Sequence, residues 1–142
     1  MTRTSNPPLG RLLKDAFDTY HARIIDDLAQ AGFSDVTRAQ GLVLAMMGSE
    51  PVRAVDLAEK LGVSKQALSV TAKELIHKGY LADAADPNDG RARKLTLSEK
   101  GIAMKAAGET ARRQFETNLH LDLGSATYDS LIQSLRKIAD QL

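Results

Sequence analysis

The sequence predicts a mainly α-helical fold with one small β-hairpin. Three observations predict it: apolar residues return every three or four positions over most of the chain, two helical segments are separated by a Gly-containing three-residue turn, and short segments with apolar alternation flank a cluster of turn formers. At 142 residues the chain is one domain's worth, long enough to bury a real core. Nineteen Lys and Arg against eighteen Asp and Glu leave a formal charge of +1, so bulk charge announces no polyanionic partner. Any case for nucleic acid has to rest on where the charges sit.

The first helix follows Pro7 and Pro8, with Leu9, Leu12, Leu13, Phe17, Tyr20, Ile24 and Leu28 on one stripe and Gly32 as its stop. A short, mostly buried helix runs from about Thr37 through Gln40, Val43, Leu44 and Met47, and Met46 and Met47 are expected in the core. Ala54 to Leu61 forms the next, closed by Gly62-Val63. Ser64 is a good N-cap for a helix from Lys65 to Lys78 that Gly79 terminates, which makes a helix-turn-helix. Two strands are expected at Tyr80 to Ala84 and Arg93 to Leu97, with Asp86 to Arg91 as the turn between them, a hairpin that reads as a wing. Ser98 caps a long helix to about Leu119, and Ser125 is expected to cap a last one whose stripe is Tyr128, Leu131, Ile132, Leu135, Ile138 and Leu142.

The segments most specific to a family are Asp56-Leu57-Ala58-Glu59-Lys60-Leu61-Gly62-Val63-Ser64-Lys65-Gln66-Ala67-Leu68-Ser69, Lys78-Gly79-Tyr80-Leu81, Asp86-Pro87-Asn88-Asp89-Gly90-Arg91 and Leu95-Thr96-Leu97-Ser98-Glu99-Lys100-Gly101. In these, and in element order over nearly the whole chain, the sequence resembles the MarR (multiple antibiotic resistance repressor) family. The resemblance implies a winged helix-turn-helix over about residues 37–98, with residues 9–31 and 99–142 as dimerisation helices of a single domain spanning 1–142. It also implies a recognition helix in the major groove, a wing-tip Arg in the minor groove and a ligand-responsive regulator of transcription. The family often has a basic residue where this chain has Val70, and basic residues in the first wing strand where this chain has Ala82-Asp83-Ala84, so fewer phosphate contacts are expected here.

Removing the apolar face of the second helix of the motif leaves Ser64 at its cap and Lys65, Gln66, Ser69, Val70 and Lys73 toward solvent. Gln suits adenine, Lys suits guanine, and Val70 can meet a thymine methyl. On the hairpin, Arg91, Arg93 and Lys94 form the one dense basic cluster of the sequence, and Asp89 is placed to orient Arg91. A narrow minor groove concentrates negative potential that such a cation can meet. The alternative for both sets is solvated surface charge. Phe17, Tyr20 and His21 are candidates for a ligand pocket, because pockets combine aromatic rings with a few polar groups.

Several chemistries are not expected. There is no cysteine, hence no disulfide, thiolate metal site or thiol nucleophile, and a reducing cytoplasm fits. His21, His77 and His120 lack metal-ligand spacing, and neither a phosphate loop nor a nucleophile elbow can be made out, so no metal, no cofactor and no enzyme are expected. The longest apolar run, Gly41 to Gly48, is too short for a membrane. The resulting reading is a cytoplasmic, homodimeric, sequence-specific binder of double-stranded DNA at a pseudo-palindromic operator, acting as a repressor that a small aromatic or anionic effector releases. A winged-helix protein-interaction module and a ligand-independent regulator are the alternatives.

Overall fold

A computed structural model describes residues 6–86 and 88–141, with the backbone but not the side chains of residues 89–92. In order the elements are α1 (Leu9–Gln30), α2 (Arg38–Met46), β1 (Val52–Arg53), α3 (Ala54–Leu61), α4 (Lys65–His77), β2 (Leu81–Asp86), β3 (Asp89–Leu97), α5 (Glu99–Leu123) and α6 (Ser125–Ala139).

Local chemistry sets most of these boundaries. Thr37 and Gln40 form a reciprocal capping box at the start of α2, Ser64 accepts the Ala67 amide at 3.1 Å, and Ser98 accepts the Gly101 amide at 3.0 Å. Between α3 and α4 the chain turns through Gly62 at φ +65°, a left-handed conformation that favours glycine. The core gathers Leu28, Val43, Leu44, Met47, Leu57, Leu68, Leu75, Tyr80, Leu81, Leu95 and Met104, so the helices from α1 to α5 and the two long strands contribute to one cluster.

The structure corrects the sequence reading at four points. The wing is the outer part of a three-stranded antiparallel sheet of order β1-β3-β2, because Val52 and Arg53 pair with Leu95 and Lys94. A two-residue strand carries no alternation and exists only through that pairing. The hairpin is also longer and its turn tighter than expected, with Asp86 paired to Asp89 across the end. Asp86 is therefore no loop residue but the buried last position of β2. Helix α6 begins at Ser125 with Gly124 as its N-cap and no side-chain cap bond, so Ser125 does not cap it. Met46 is 44% exposed whereas Met47 is buried, since only the latter faces inward at the end of α2.

One close approach locks the start of α5 against the sheet. The Tyr80 carbonyl accepts the Ser98 amide at 3.0 Å, and a Cβ at residue 101 would lie 2.1 Å from that same oxygen. Only glycine fits there. At Gly108, further along α5, a Cβ would make only an ordinary contact, 4.0 Å from the Leu28 side chain. Gly101→Ala is expected to cost about 1–3 kcal/mol through overpacking, whereas Gly108→Ala is expected to add up to about 1 kcal/mol through helix propensity. Urea denaturation of both variants checks the opposite signs.

Candidate nucleic-acid interface

Helix α4 turns Leu68, Ala72 and Leu75 into the core, which leaves its other side to solvent. Ser64, Lys65, Gln66, Val70 and Lys73 are exposed and Ser69 is half-buried. The six predicted residues thus share one side of α4, five of them at its cap and in its first half and Lys73 just past its midpoint. Val70 is 54% exposed and Val63 45%, apolar groups that a neighbouring helix could have covered and does not. The amides of the first turn add partial positive charge beside Lys65, a favourable setting for an anion.

The C-terminal half of α4 is held by a polar network. Buried Gln40 donates from Nε2 to Glu74 at 2.8 Å and accepts from Lys78 Nζ at 2.9 Å. Lys78 also donates to the Asp35 carbonyl, and the Tyr80 hydroxyl donates to the Asp35 carboxylate at 2.5 Å. That bond keeps the Asp35 carboxyl below its usual range, and burial with the same contact pushes the Tyr80 hydroxyl up. Lys100 lies over the Tyr80 ring, 4.2 Å from its centre. The network ties α4 to the loop before α2 and to the start of α5.

On the wing only two of the four predicted side chains, Arg93 and Lys94, lie within the described residues. Asp89 and Arg91 have side chains outside the described residues, so the suggested orientation of Arg91 by Asp89 falls there too. Arg93 and Lys94 are both engaged within the protein. Arg93 donates from Nε to both Asp83 oxygens at 2.9 and 2.8 Å, with Nη2 at 2.7 Å, a forked contact on the wing surface. Lys94 faces Arg53 directly across β1 and β3, and two like charges so placed repel. Asp86 resolves this, its carboxylate lying 3.0 Å from Arg53 and 3.6 Å from Lys94 while accepting the Asn88 amide at 2.9 Å. That amide, and then Arg53 and Lys94, hold the Asp86 carboxyl below the usual carboxylate range. Sequence reasoning missed Arg53, Asp83 and Asp86, because each depends on strand register. Two acids three positions apart, Asp83 within the expected strand and Asp86 just after it, facing a strand rich in cations, were the available signal.

A second feature lies beneath α2, a cavity of about 250 Å3 between α1, α2 and α5. Tyr20 and His21 line it with Ile24, Leu42, Met104 and Arg38. Phe17 does not line it; it is half exposed and stacks edge-on to His21 at 4.2 Å, with the Arg38 guanidinium 5.2 Å from its ring. The Nδ1 atom of His21 is buried without a partner, and burial together with Arg38 pushes the imidazole pKa down. Among the described residues no group of His, Asp and Glu could hold a metal ion, and no helix is long and apolar enough to cross a membrane.

A capped helix with an open polar face, a second helix packed against it through a tight turn, and a three-stranded sheet ending in a charged hairpin together define a winged helix-turn-helix protein. A family model described as MarR family matches residues 34–92. The reduced form of MarR from E. coli superposes with a TM-score of 0.82 at 25% identity, covering 95% of this chain and 98% of that one. A MarR mutant from E. coli complexed with operator DNA gives a TM-score of 0.77 at 25% identity over 92% and 93% of the two chains. In sequence, an exopolysaccharide II synthesis transcriptional activator of Rhizobium meliloti (strain 1021) is 24% identical over 131 residues, 92% of this chain and 68% of the relative. In fold, and in the matched segment, the chain is similar to the MarR family of winged-helix transcriptional regulators.

The Asp86 arrangement makes the wing acid-sensitive. A carboxylate whose folded pKa is depressed contributes stability that is complete above its unfolded value, about 3.9, and is lost as pH falls through the folded value. Asp86→Asn keeps an acceptor for the Asn88 amide but leaves Arg53 and Lys94 facing each other uncompensated. At neutral pH the variant is expected to unfold at lower urea, and the gap to the unmodified protein is expected to narrow as pH drops below about 4. Urea midpoints across that range check it; a gap of constant size would show that the carboxylate charge is not what matters.

Proposed function

We propose that this protein is a cytoplasmic homodimer that binds double-stranded DNA at a pseudo-palindromic operator and regulates transcription, with α4 in the major groove and the hairpin against the adjacent minor groove. The observation that carries this reading is the exposed row Lys65, Gln66, Val70 and Lys73 on a helix whose other end is fixed by buried Gln40. Base edges are read by donors, acceptors and apolar groups presented on a rigid element. MarR in complex with operator DNA supports it through its shared fold.

The dimer reading assigns residues 9–31 and 99–142 to subunit association and residues 37–98 to DNA, within one domain. Helix α6 supports it, for none of its residues is buried and Leu131, Leu135 and Ile138 are 37%, 39% and 42% exposed. Leu9 and Leu12 on α1 are likewise uncovered. An isologous interface would bury these stripes and set two α4 helices about one DNA turn apart, roughly 34–36 Å.

The cavity under α2 is the proposed effector site, and the regulator is proposed to act as a repressor released on binding there. Its walls are mostly apolar, and its polar groups are Tyr20, the unpartnered His21 Nδ1, the cations Arg38, Lys105 and Arg112 and the single carboxylate Glu109, an excess of positive charge that suits a small aromatic anion. An effector would change DNA affinity by as much as its own affinity differs between the two spacings of the recognition helices.

Three measurements test these assignments. Leu135→Asp is expected to shift the protein from dimer to monomer in sedimentation, and a stable micromolar monomer of the unmodified protein would remove the dimer. In selection from random duplexes, Gln66→Ala is expected to relax preference at one position per half-site, by about 1–3 kcal/mol for each base no longer read; an unchanged preference would exclude base reading by Gln66. Benzoate is expected to raise the melting temperature and weaken DNA binding together, both effects failing in Arg38→Ala. DNA binding that persists at saturating benzoate would favour a ligand-independent regulator.

A further inference from the structure

The cations of the wing whose side chains are described are already paired. Among the described side chains, Arg53 and Lys94 share Asp86 on one side of the sheet, while Arg93 is gripped by Asp83 through two nitrogens. The two pairs differ in what they do for the fold. Asp86 is buried and compensates a repulsive cross-strand pair, so it has a structural reason to exist. Asp83 has none of that kind. It lies two residues before Ala85, the register partner of Arg93, and meets a guanidinium whose side chain is 67% exposed. No buried group depends on the contact, and Arg93 in water would need no partner.

What the contact does change is the charge that the hairpin offers outward. A phosphate approaching Arg93 meets a guanidinium whose Nε and Nη2 are occupied and whose charge is cancelled by a carboxylate one guanidinium width away. Such a cation displaces few counterions from DNA, and counterion release is the source of sequence-blind affinity. We propose that Asp83 is a positioning residue that acts through Arg93, withholding one phosphate contact from the wing and so lowering DNA affinity on every sequence alike. The readout of bases by α4 is untouched. Against a genome full of competing duplex, a regulator with weaker sequence-blind binding is less sequestered.

The proposal rests on the DNA-binding reading and is tested apart from it by salt titration of two duplexes, one recovered by selection with the unmodified protein and one of mixed sequence. Asp83→Asn keeps an oxygen for Arg93 and removes the charge. Its binding to both duplexes is expected to tighten at low salt, with the log–log salt slope steeper by about 0.9, so that raising salt from about 50 to 200 mM weakens it about 3.5-fold more than the unmodified protein. The ratio of affinities for the two duplexes is expected to stay the same, as is the melting temperature. In an Arg93→Ala background, Asp83→Asn is expected to change the slope no further, which separates action through Arg93 from a general loss of negative charge. An unchanged slope for Asp83→Asn, or an equal steepening in the Arg93→Ala background, overturns the proposal while leaving DNA binding in place. Absence of salt-sensitive binding by the unmodified protein overturns the DNA-binding reading and the proposal with it.

Discussion

The buried amide of Gln40 joins the helical frame to the helix that faces outward. Only 2% exposed, it has each polar atom engaged: Oε1 accepts from Lys78 and from the Thr37 amide, and Nε2 donates to Glu74. A buried amide left unpaired costs more than its bonds return in net stability, so such a group tolerates one arrangement and resists others. The same side chain completes the capping box that starts α2. One residue therefore sets both where α2 begins and where the second half of α4 rests, and the exposed first half of α4 inherits its direction from that contact.

Because α2 also lines the cavity through Gly41, Leu42 and Ala45, the wall of the proposed effector site and the anchor of α4 are two faces of a single nine-residue helix. A molecule that displaces α2 moves Gln40, and Glu74 with it. That is a contiguous path of packed and hydrogen-bonded groups between the two places. His21 and Arg38 line the cavity, the first with an unsatisfied nitrogen and the second shared between Asp18 at 2.6 Å and the face of Phe17.

The wing follows a different logic, in which charge rather than packing decides. Strand register puts Arg53 opposite Lys94, and the buried Asp86 carboxylate is the compensation. On the outer surface Asp83 engages Arg93. The chain lacks the basic residues that the MarR family, which it resembles, often has in the first wing strand, and it places an acid among the cations it retains. Both differences act in the same direction, toward a hairpin with less net positive charge.

The helices, the caps at Ser64 and Ser98 and the turn at Gly62 were legible in the sequence because each depends on residues within about four positions of one another. The open face of α4 was legible for the same reason: helical periodicity alone separates Leu68, Ala72 and Leu75 from Lys65, Gln66, Val70 and Lys73. Ser98 and Gly101 stood out as a motif, but the reason for the glycine, a carbonyl of Tyr80 where a Cβ would sit, belongs to two elements brought together. Strand β1 is the clearest case of what local pattern cannot hold, since two residues become a strand only when β3 runs beside them. So it is with the wing: Asp83 and Asp86 read along the chain as a polar strand position and a turn former, and register alone turns them into the partners of Arg93, Arg53 and Lys94. Sequence by itself determined which stretches fold into helices and which side of α4 stays free, because those follow from a period of 3.6 residues and from local hydrogen bonds. Tertiary structure decided which charges remain available on the wing and that a cavity opens beneath α2, because both arise between residues that only folding brings together.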